Sequence, residues 1–189
     1  MRMTQPTQYG VLAQAADQDG YHQIAVADSL FWSEQVSDAY PYTKDGSRLW
    51  QEETPFVEPF MAVAHMAAVT TRIRFLHHVV QVATRNPLLL AKQVGSAAVL
   101  SNNRFTFGAG IGWLKEEFEW SGQTYEGRGK RTDESLDAIL EILDGGWVRR
   151  DGEFGKCGKS KMQPARTQRV PARLGGHPAG ALRPPTRAR

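Results

Sequence analysis

Three places in this 189-residue chain put chemistry-bearing residues in a usable order. The first is the run Gly108-Ala109-Gly110-Ile111-Gly112-Trp113, which follows an alternating stretch from Arg104 to Ala109. Glycines at that spacing let a strand bulge or let its backbone come close to something flat, and a cofactor ring is such an object. A dinucleotide fingerprint is not matched, because the place of its third glycine is taken by Trp113 and no helix is expected to open directly on the run. The second is Asp28-Ser29, delivered at the carboxyl end of a strand predicted over 22–29. The third is His77-His78 inside a strand predicted over 73–82; neighbours on a strand point to opposite faces, so the two do not share a metal ion. The single cysteine, Cys157, leaves neither an intramolecular disulfide nor a thiolate metal cluster.

The elements that must position these residues follow from periodicity. A helix is predicted over 7–19 with Tyr9, Leu12, Ala15 and Ala16 on one face and Gly20 as its stop. In the strand over 22–29, Ile24 and Val26 share one face and Ala25 and Ala27 the other, the two-sided apolar character of a buried parallel strand. Residues 30–55 are irregular and rich in Tyr, Pro, Ser, Asp and Gly, and loops of that length are usually lids or binding loops. A helix from about Phe56 to Thr70 sets out Phe60, Met61, Ala64, Ala67 and Ala68. The next begins at Pro87 under an Asn86 cap and ends at Ser101, Asn102 and Asn103, where asparagine takes the left-handed conformation. Thr132 is read as the cap of a helix carrying Leu136, Ile139, Leu140 and Leu143, stopped by Gly145 and Gly146. A small hairpin over 147–154 and a short strand over 170–174 ending in Gly175, Gly176 and His177 complete the order.

Composition narrows the function classes. With 41% hydrophobic and 23% charged residues the chain is globular, and without a long apolar run or signal-like start the expected location is cytoplasmic. The basicity is local: from residue 154 onward there are nine Lys and Arg and no acid, which leaves 14 basic against all 20 acidic groups in residues 1–153, net −6. That tail has no aromatic platform, so no specific nucleic-acid partner and no membrane partner is expected.

Spaced through the chain are Arg85-Asn86-Pro87, Ala91-Lys92, Gly108 to Trp113, Glu117-Phe118 and Arg128-Gly129. In this the sequence resembles the bacterial-luciferase-like flavin and deazaflavin oxidoreductases over about residues 5–145. Tyr40-Pro41-Tyr42 with Gly46 is similar to a stretch of the deazaflavin-dependent branch. The resemblance implies an α/β fold, a (β/α)8 TIM barrel of which this chain holds about strands 2 to 5 with a hairpin insertion. It implies a luciferase-like domain over 1–154 and a basic segment over 155–189 that includes a fifth barrel strand and is otherwise poorly ordered. It also implies hydride transfer between coenzyme F420 and a small organic substrate; the alternatives are an FMN-dependent monooxygenase or a truncated, non-catalytic fragment.

By the same resemblance Asp28 and Ser29 take the catalytic position, Ser29 standing where relatives place a proton-transferring histidine. A serine cannot be a general acid near neutral pH. His78 and Val79 fall on a bulge, often with a cis peptide, that holds the cofactor ring. Gly110, Gly112, Trp113 and Glu116 fall at the fourth strand end against cofactor or substrate, and Arg128 is expected to pair with Glu116, Glu117 or Asp133. An incomplete barrel would expose an inner face expected to carry Ile24, Val26, Phe75, Val79 and Phe107, making the chain a homo-oligomer or prone to aggregation.

Overall fold

The computed structural model describes residues 5–165 and 168–175. In chain order these form α1 (Tyr9–Gln18), β1 (Gln23–Val26), α2 (Pro59–Ala68), β2 (Arg74–His77), β3 (Val80–Gln81), α3 (Pro87–Leu100), β4 (Phe105–Gly110), α4 (Lys115–Trp120), α5 (Arg128–Leu143), β5 (Val148–Asp151), β6 (Lys156–Ser160) and β7 (Ala172–Gly175). β1 pairs with β2, β2 and β3 with β4, and β4 with β7, all in parallel. Because β2 and β3 are two halves of one barrel strand, the sheet is an arc of four parallel positions with α1, α2, α3 and α5 packed side by side along it. This is part of a TIM barrel, as expected. β5 and β6 form the antiparallel hairpin, which reaches Ser160 rather than ending at 154. The expected strand end at Gly176 and His177 lies outside the described residues.

Local chemistry accounts for most boundaries. Asn86 accepts from the amides of Leu88 and Leu89 at 2.9 and 3.3 Å and Pro87 opens α3, while Asn102 and Asn103 end it with φ of 51° and 59°. Two starts differ from expectation. α2 begins at Pro59 because the Glu58 carboxylate caps the Met61 amide at 2.8 Å, and Met61 and Ala68 turn to solvent. α5 begins at Arg128 after left-handed Gly127, four residues before Thr132; that threonine is buried inside the helix and bonds back to the Arg128 carbonyl at 2.8 Å. In α1 the buried positions are Gly10, Ala13 and Asp17, and Leu12 is exposed.

The two sheet faces also differ from the expected assignment. Phe75, Phe105 and Phe107 are fully buried with Val26 in the layer under the helices, where Ile24 packs against the same core. The inner face carries Ala25, Leu76, Thr106 and Gly108, and Ala25 and Ala27 are exposed there. Most large residues go where helices can cover them, and apart from the half-buried Leu76 and Val79 the inner face is paved with small ones.

At the amino ends of the strands Asp17 fixes the entry to β2, accepting from the amides of Thr71, Arg72 and Ile73 at 2.8, 3.0 and 2.6 Å. The Thr71 amide, against burial and helped by the other donors, holds its carboxyl down at about 2. Arg104 closes the same end with five bonds to Thr70 Oγ1 and to the carbonyls of Ala67, Thr70, Ile73 and Ser101.

His77 is fully buried between Phe60, Phe105 and Phe107, with neither ring nitrogen in a hydrogen bond of good geometry. Burial lowers it to about 4, the nearby Pro59 carbonyl opposing. As pH falls below the ordinary 6.5 the unfolded chain takes a proton that the folded chain refuses, so stability declines from there towards pH 4. His77→Leu should flatten this loss by about 2 kcal/mol between pH 8 and pH 5, read from urea midpoints at each pH.

Candidate functional site

The carboxyl ends of β1, β3, β4 and β7 converge, as they do in barrels whose chemistry sits on that face. Phe75 pairs with Phe105 and Val80 with Ala109, so five steps on one strand match four on its neighbour. The extra residue is a bulge at His78-Val79, and the peptide joining these two is cis, as the resemblance implied. The bulge reverses the alternation: His77 and Val80 are both buried, His78 is exposed and Val79 is half-buried.

Glycines make the bulge possible. A Cβ on Gly108 would overlap the His77 carbonyl oxygen, one on Gly110 would overlap Val79 Cγ2, and one on Gly175 would stand 2.9 Å from Val79 Cγ1. Val79 therefore rests between two bare strand ends. Gly112 has a φ of 87°, and a Cβ there would meet Gln81 Oε1 at 2.7 Å and the Phe118 ring at 2.9 Å. β4 ends at Gly110, so Gly112 and Trp113 lie in the turn that leads to α4, a short helix that the glycine run did not announce.

Asp28 is committed to an ion pair. Its oxygens meet both Arg85 nitrogens at 2.7 and 2.9 Å and accept from the Gln81 amide at 3.1 Å, while Arg85 also holds the Gln81 carbonyl at 3.0 Å. With the Asp28 side chain 2% exposed, this pair ties β1 to the turn after β3. Ser29 donates to Glu117 Oε1 at 3.1 Å, the Leu30 amide donates to the same oxygen at 2.8 Å, and the Gln81 side-chain amide donates to Oε2. Glu117 was legible as part of the Glu117-Phe118 pair and as an expected partner of Arg128, and nothing in its spacing marked it as the hub. Burial pushes its carboxyl up, the Gln81, Leu30 and Ser29 bonds pull it down, Asp28 adds to the rise, and the net direction is upward.

Glu116 faces another loop. Its Oε1 accepts from the Ser37 amide and hydroxyl at 2.8 and 2.6 Å; burial opposes its charge, but these bonds outweigh it and hold the carboxyl below its ordinary value. Of the partners expected for Arg128, Glu116, Glu117 and Asp133, the two glutamates are bonded elsewhere; Arg128 donates to the Gly112 carbonyl at 3.3 Å and lies 3.8 Å over the Tyr125 ring. Trp113 is half-buried edge-on to Tyr40, which also meets Tyr42 and Trp50. A pocket of about 270 Å³ opens beside this cluster, walled by Ser29, Phe31, Trp32, Trp50, Pro55 and Phe56. Among the described residues no three His, Cys, Asp or Glu side chains are grouped to hold a metal ion, and no helix is long and apolar enough to cross a membrane.

These features define a class of protein. A family model described as luciferase-like monooxygenase matches residues 3–184, and the chain belongs to that family. It is 40% identical over 186 residues to the uncharacterized protein Rv0940c of Mycobacterium tuberculosis, a match covering 98% of this chain and 65% of that protein. In fold it is similar to an F420-dependent secondary alcohol dehydrogenase solved with an F420-acetone adduct, at a TM-score of 0.73 and 14% identity over 92% of this chain and 49% of that one. It is also similar to the oxygenating constituent of 3,6-diketocamphane monooxygenase of Pseudomonas putida, solved with FMN, at a TM-score of 0.68 and 16% identity over 89% of this chain and 45% of that one. The chain thus spans less than two thirds of the length of that curated relative.

Two substitutions separate the constraints at the strand ends. Gly108→Ala should cost about 1 to 3 kcal/mol, because the atom in the way is backbone and cannot swing aside. Arg85→Ala should cost about 3 to 5 kcal/mol by leaving Asp28 buried and unpaired. Urea unfolding measures both, and Asp28→Asn combined with Arg85→Ala should recover part of the second loss.

Proposed function

We propose that this chain carries the cofactor-facing part of an oxidoreductase that moves a hydride between coenzyme F420 and a small organic substrate. The observation that carries this reading is the bare inner face at the strand ends. Ala25 and Ala27 are exposed there, His78 is exposed on the bulge, and Val79 rests over Gly110 and Gly175, so a planar ring can lie against the two alanines and the bulge. The residues fit such a ring. His78 and Val79 would support it from the bulge, Gly110 and Gly112 would meet it with backbone, and Trp113 would close one side with Tyr40 behind it.

When bound, the deazaflavin supplies the hydride chemistry. The chain's part is orientation and dryness. Asp28 and Arg85 fix the turn after β3, Glu116 and Glu117 fix the loop over 29–37, and the Tyr40, Trp50 and Trp113 rings exclude water beside the pocket. Support for a deazaflavin comes from the Tyr40-Pro41-Tyr42 stretch, whose first ring packs directly on Trp113. FMN-dependent monooxygenation is the second reading, favoured by the description of the family itself.

Anaerobic fluorescence titration of the full chain with F420 and with FMN tests the order. F420 is expected to bind at least about tenfold more tightly, a difference of about 1.4 kcal/mol. Tighter binding of FMN would put the second reading first.

A further inference from the structure

We propose that a second hollow, between residues 33–37 and α4, binds a small organic cation, a primary ammonium or guanidinium compound with a flat apolar part, whose N–H group is the donor that Glu116 Oε2 lacks. The hollow has a volume of about 430 Å³ and is walled by Ser33 to Ser37, Glu116 and Trp120. It shares no wall residue with the pocket described above, and the proposal does not rest on the deazaflavin reading. Glu116 is 9% exposed. Its Oε1 accepts from the Ser37 amide and hydroxyl at 2.8 and 2.6 Å, while its buried Oε2 meets no hydrogen-bond donor among the described residues. A buried carboxylate oxygen left without a donor is costly, and a charged N–H group offsets that cost best.

The charges fit a cation. Glu34 and Glu116 are the only charged residues in the wall. Burial opposes the charge of Glu116, but its bonds to Ser37 outweigh this and keep the carboxyl below its ordinary value, so it is ionised at neutral pH. The two cations that act on it are engaged elsewhere: Arg48 donates to the Ser33 carbonyl at 2.7 Å and lies 3.5 Å over the Trp32 ring, and Lys115 pairs with Glu119 at 3.4 Å. A divalent metal fits less well, because among the described residues no third His, Cys, Asp or Glu joins the two carboxylates. Trp120 is 63% exposed and its ring is held on Phe31 at 4.9 Å; an indole beside a carboxylate suits a cation that carries an aromatic body. Oε2 has no open surface, so the ligand nitrogen must displace part of the wall to reach it, and the exposed Glu34, Gln35 and Val36 side chains are the ones that can yield.

Calorimetry on the full chain at constant ionic strength, with no cofactor added, tests this with benzylammonium, benzylguanidine, benzyltrimethylammonium and benzyl alcohol. Benzylammonium is expected to bind one-to-one with a Kd of about 1 mM or below, and benzylguanidine comparably. Benzyltrimethylammonium keeps the charge and the ring but has no N–H, and benzyl alcohol keeps the ring without the charge, so each should bind at least about tenfold more weakly. Glu116→Gln should weaken benzylammonium about tenfold or more, and Glu34→Gln about two- to threefold, as the loss of an exposed charge. Because Glu116→Gln also alters the anchor of the loop at Ser37, a second measurement leaves the site intact. The unsubstituted chain carries glutamate labelled with carbon-13 at the carboxyl, and Glu116 is the resonance missing from Glu116→Gln. Benzylammonium should shift that resonance and lower its titration midpoint, and benzyl alcohol should do neither. Equal affinity for benzylammonium and benzyltrimethylammonium overturns the proposal, as does a Glu116 resonance indifferent to benzylammonium. Tighter binding of calcium chloride than of either amine, or no binding of either amine at about ten times the expected Kd, overturns it as well. None of these outcomes depends on whether F420 or FMN binds.

Discussion

The carbonyl oxygen of His77 occupies the space that a Cβ on Gly108 would need, and the arrangement of the strand ends depends on that exclusion. One strand carries an extra residue between two points of register with its neighbour, so its alternation must reverse at the bulge. The reversal lets both His77 and Val80 enter the layer under the helices and leaves Val79 on the inner face between Gly110 and Gly175. A side chain at position 108 would push the two strands apart where their carboxyl ends must meet. The neighbours of the bulge are small because its backbone takes up their room.

The two ends of the sheet bury carboxylates with opposite results. Asp17, at the amino ends, has backbone amides as its main donors and is less deeply buried than Glu117, so its charge is favoured and its carboxyl stays near 2. Glu117, at the carboxyl ends, also has three donors, but it is buried more deeply and shares the space with Asp28, and its carboxyl moves up. Hydrogen bonds win in the first case and desolvation in the second. A carboxylate fixed in its charged form is a joint, whereas one whose charge is contested can change protonation state. In barrels the amino face reads as stability and the carboxyl face as chemistry.

Much of this was legible in the sequence where a single residue type settles the matter. Asn86-Pro87 and Asn102-Asn103 mark both ends of α3 because capping and left-handed backbone are local. The start of α5 was hidden because Gly127 has no side chain to announce a cap, whereas Thr132 offers a convincing one. The inner face was misassigned for a different reason. A strand apolar on both sides does not say which side meets the helices, and a bulge reverses the parity beyond it. The clustering of Ser29, Gln81 and Glu117 is a tertiary fact, produced by residues 88 and 36 positions apart, and no periodicity reports it.

The adjacent pair Glu116-Glu117 explains how a six-residue helix can govern the long loop. α4 is too short to be stable alone and forms because its neighbours hold it. Glu117 reaches Ser29 and Leu30 where the loop leaves β1, while Glu116 reaches Ser37 farther along. Trp120 stacks on Phe31 between those two anchor points at 4.9 Å. Trp113, just before the helix, packs on Tyr40 beyond them. The loop is therefore fixed by successive contacts to the segment that follows the glycine strand end, and the pocket it encloses inherits the position of β4. A shift in the bulge would be passed through Gln81 to Glu117 and from there to the pocket wall at Ser29, so the bulge backbone and the loop that walls the pocket are set by one connected network.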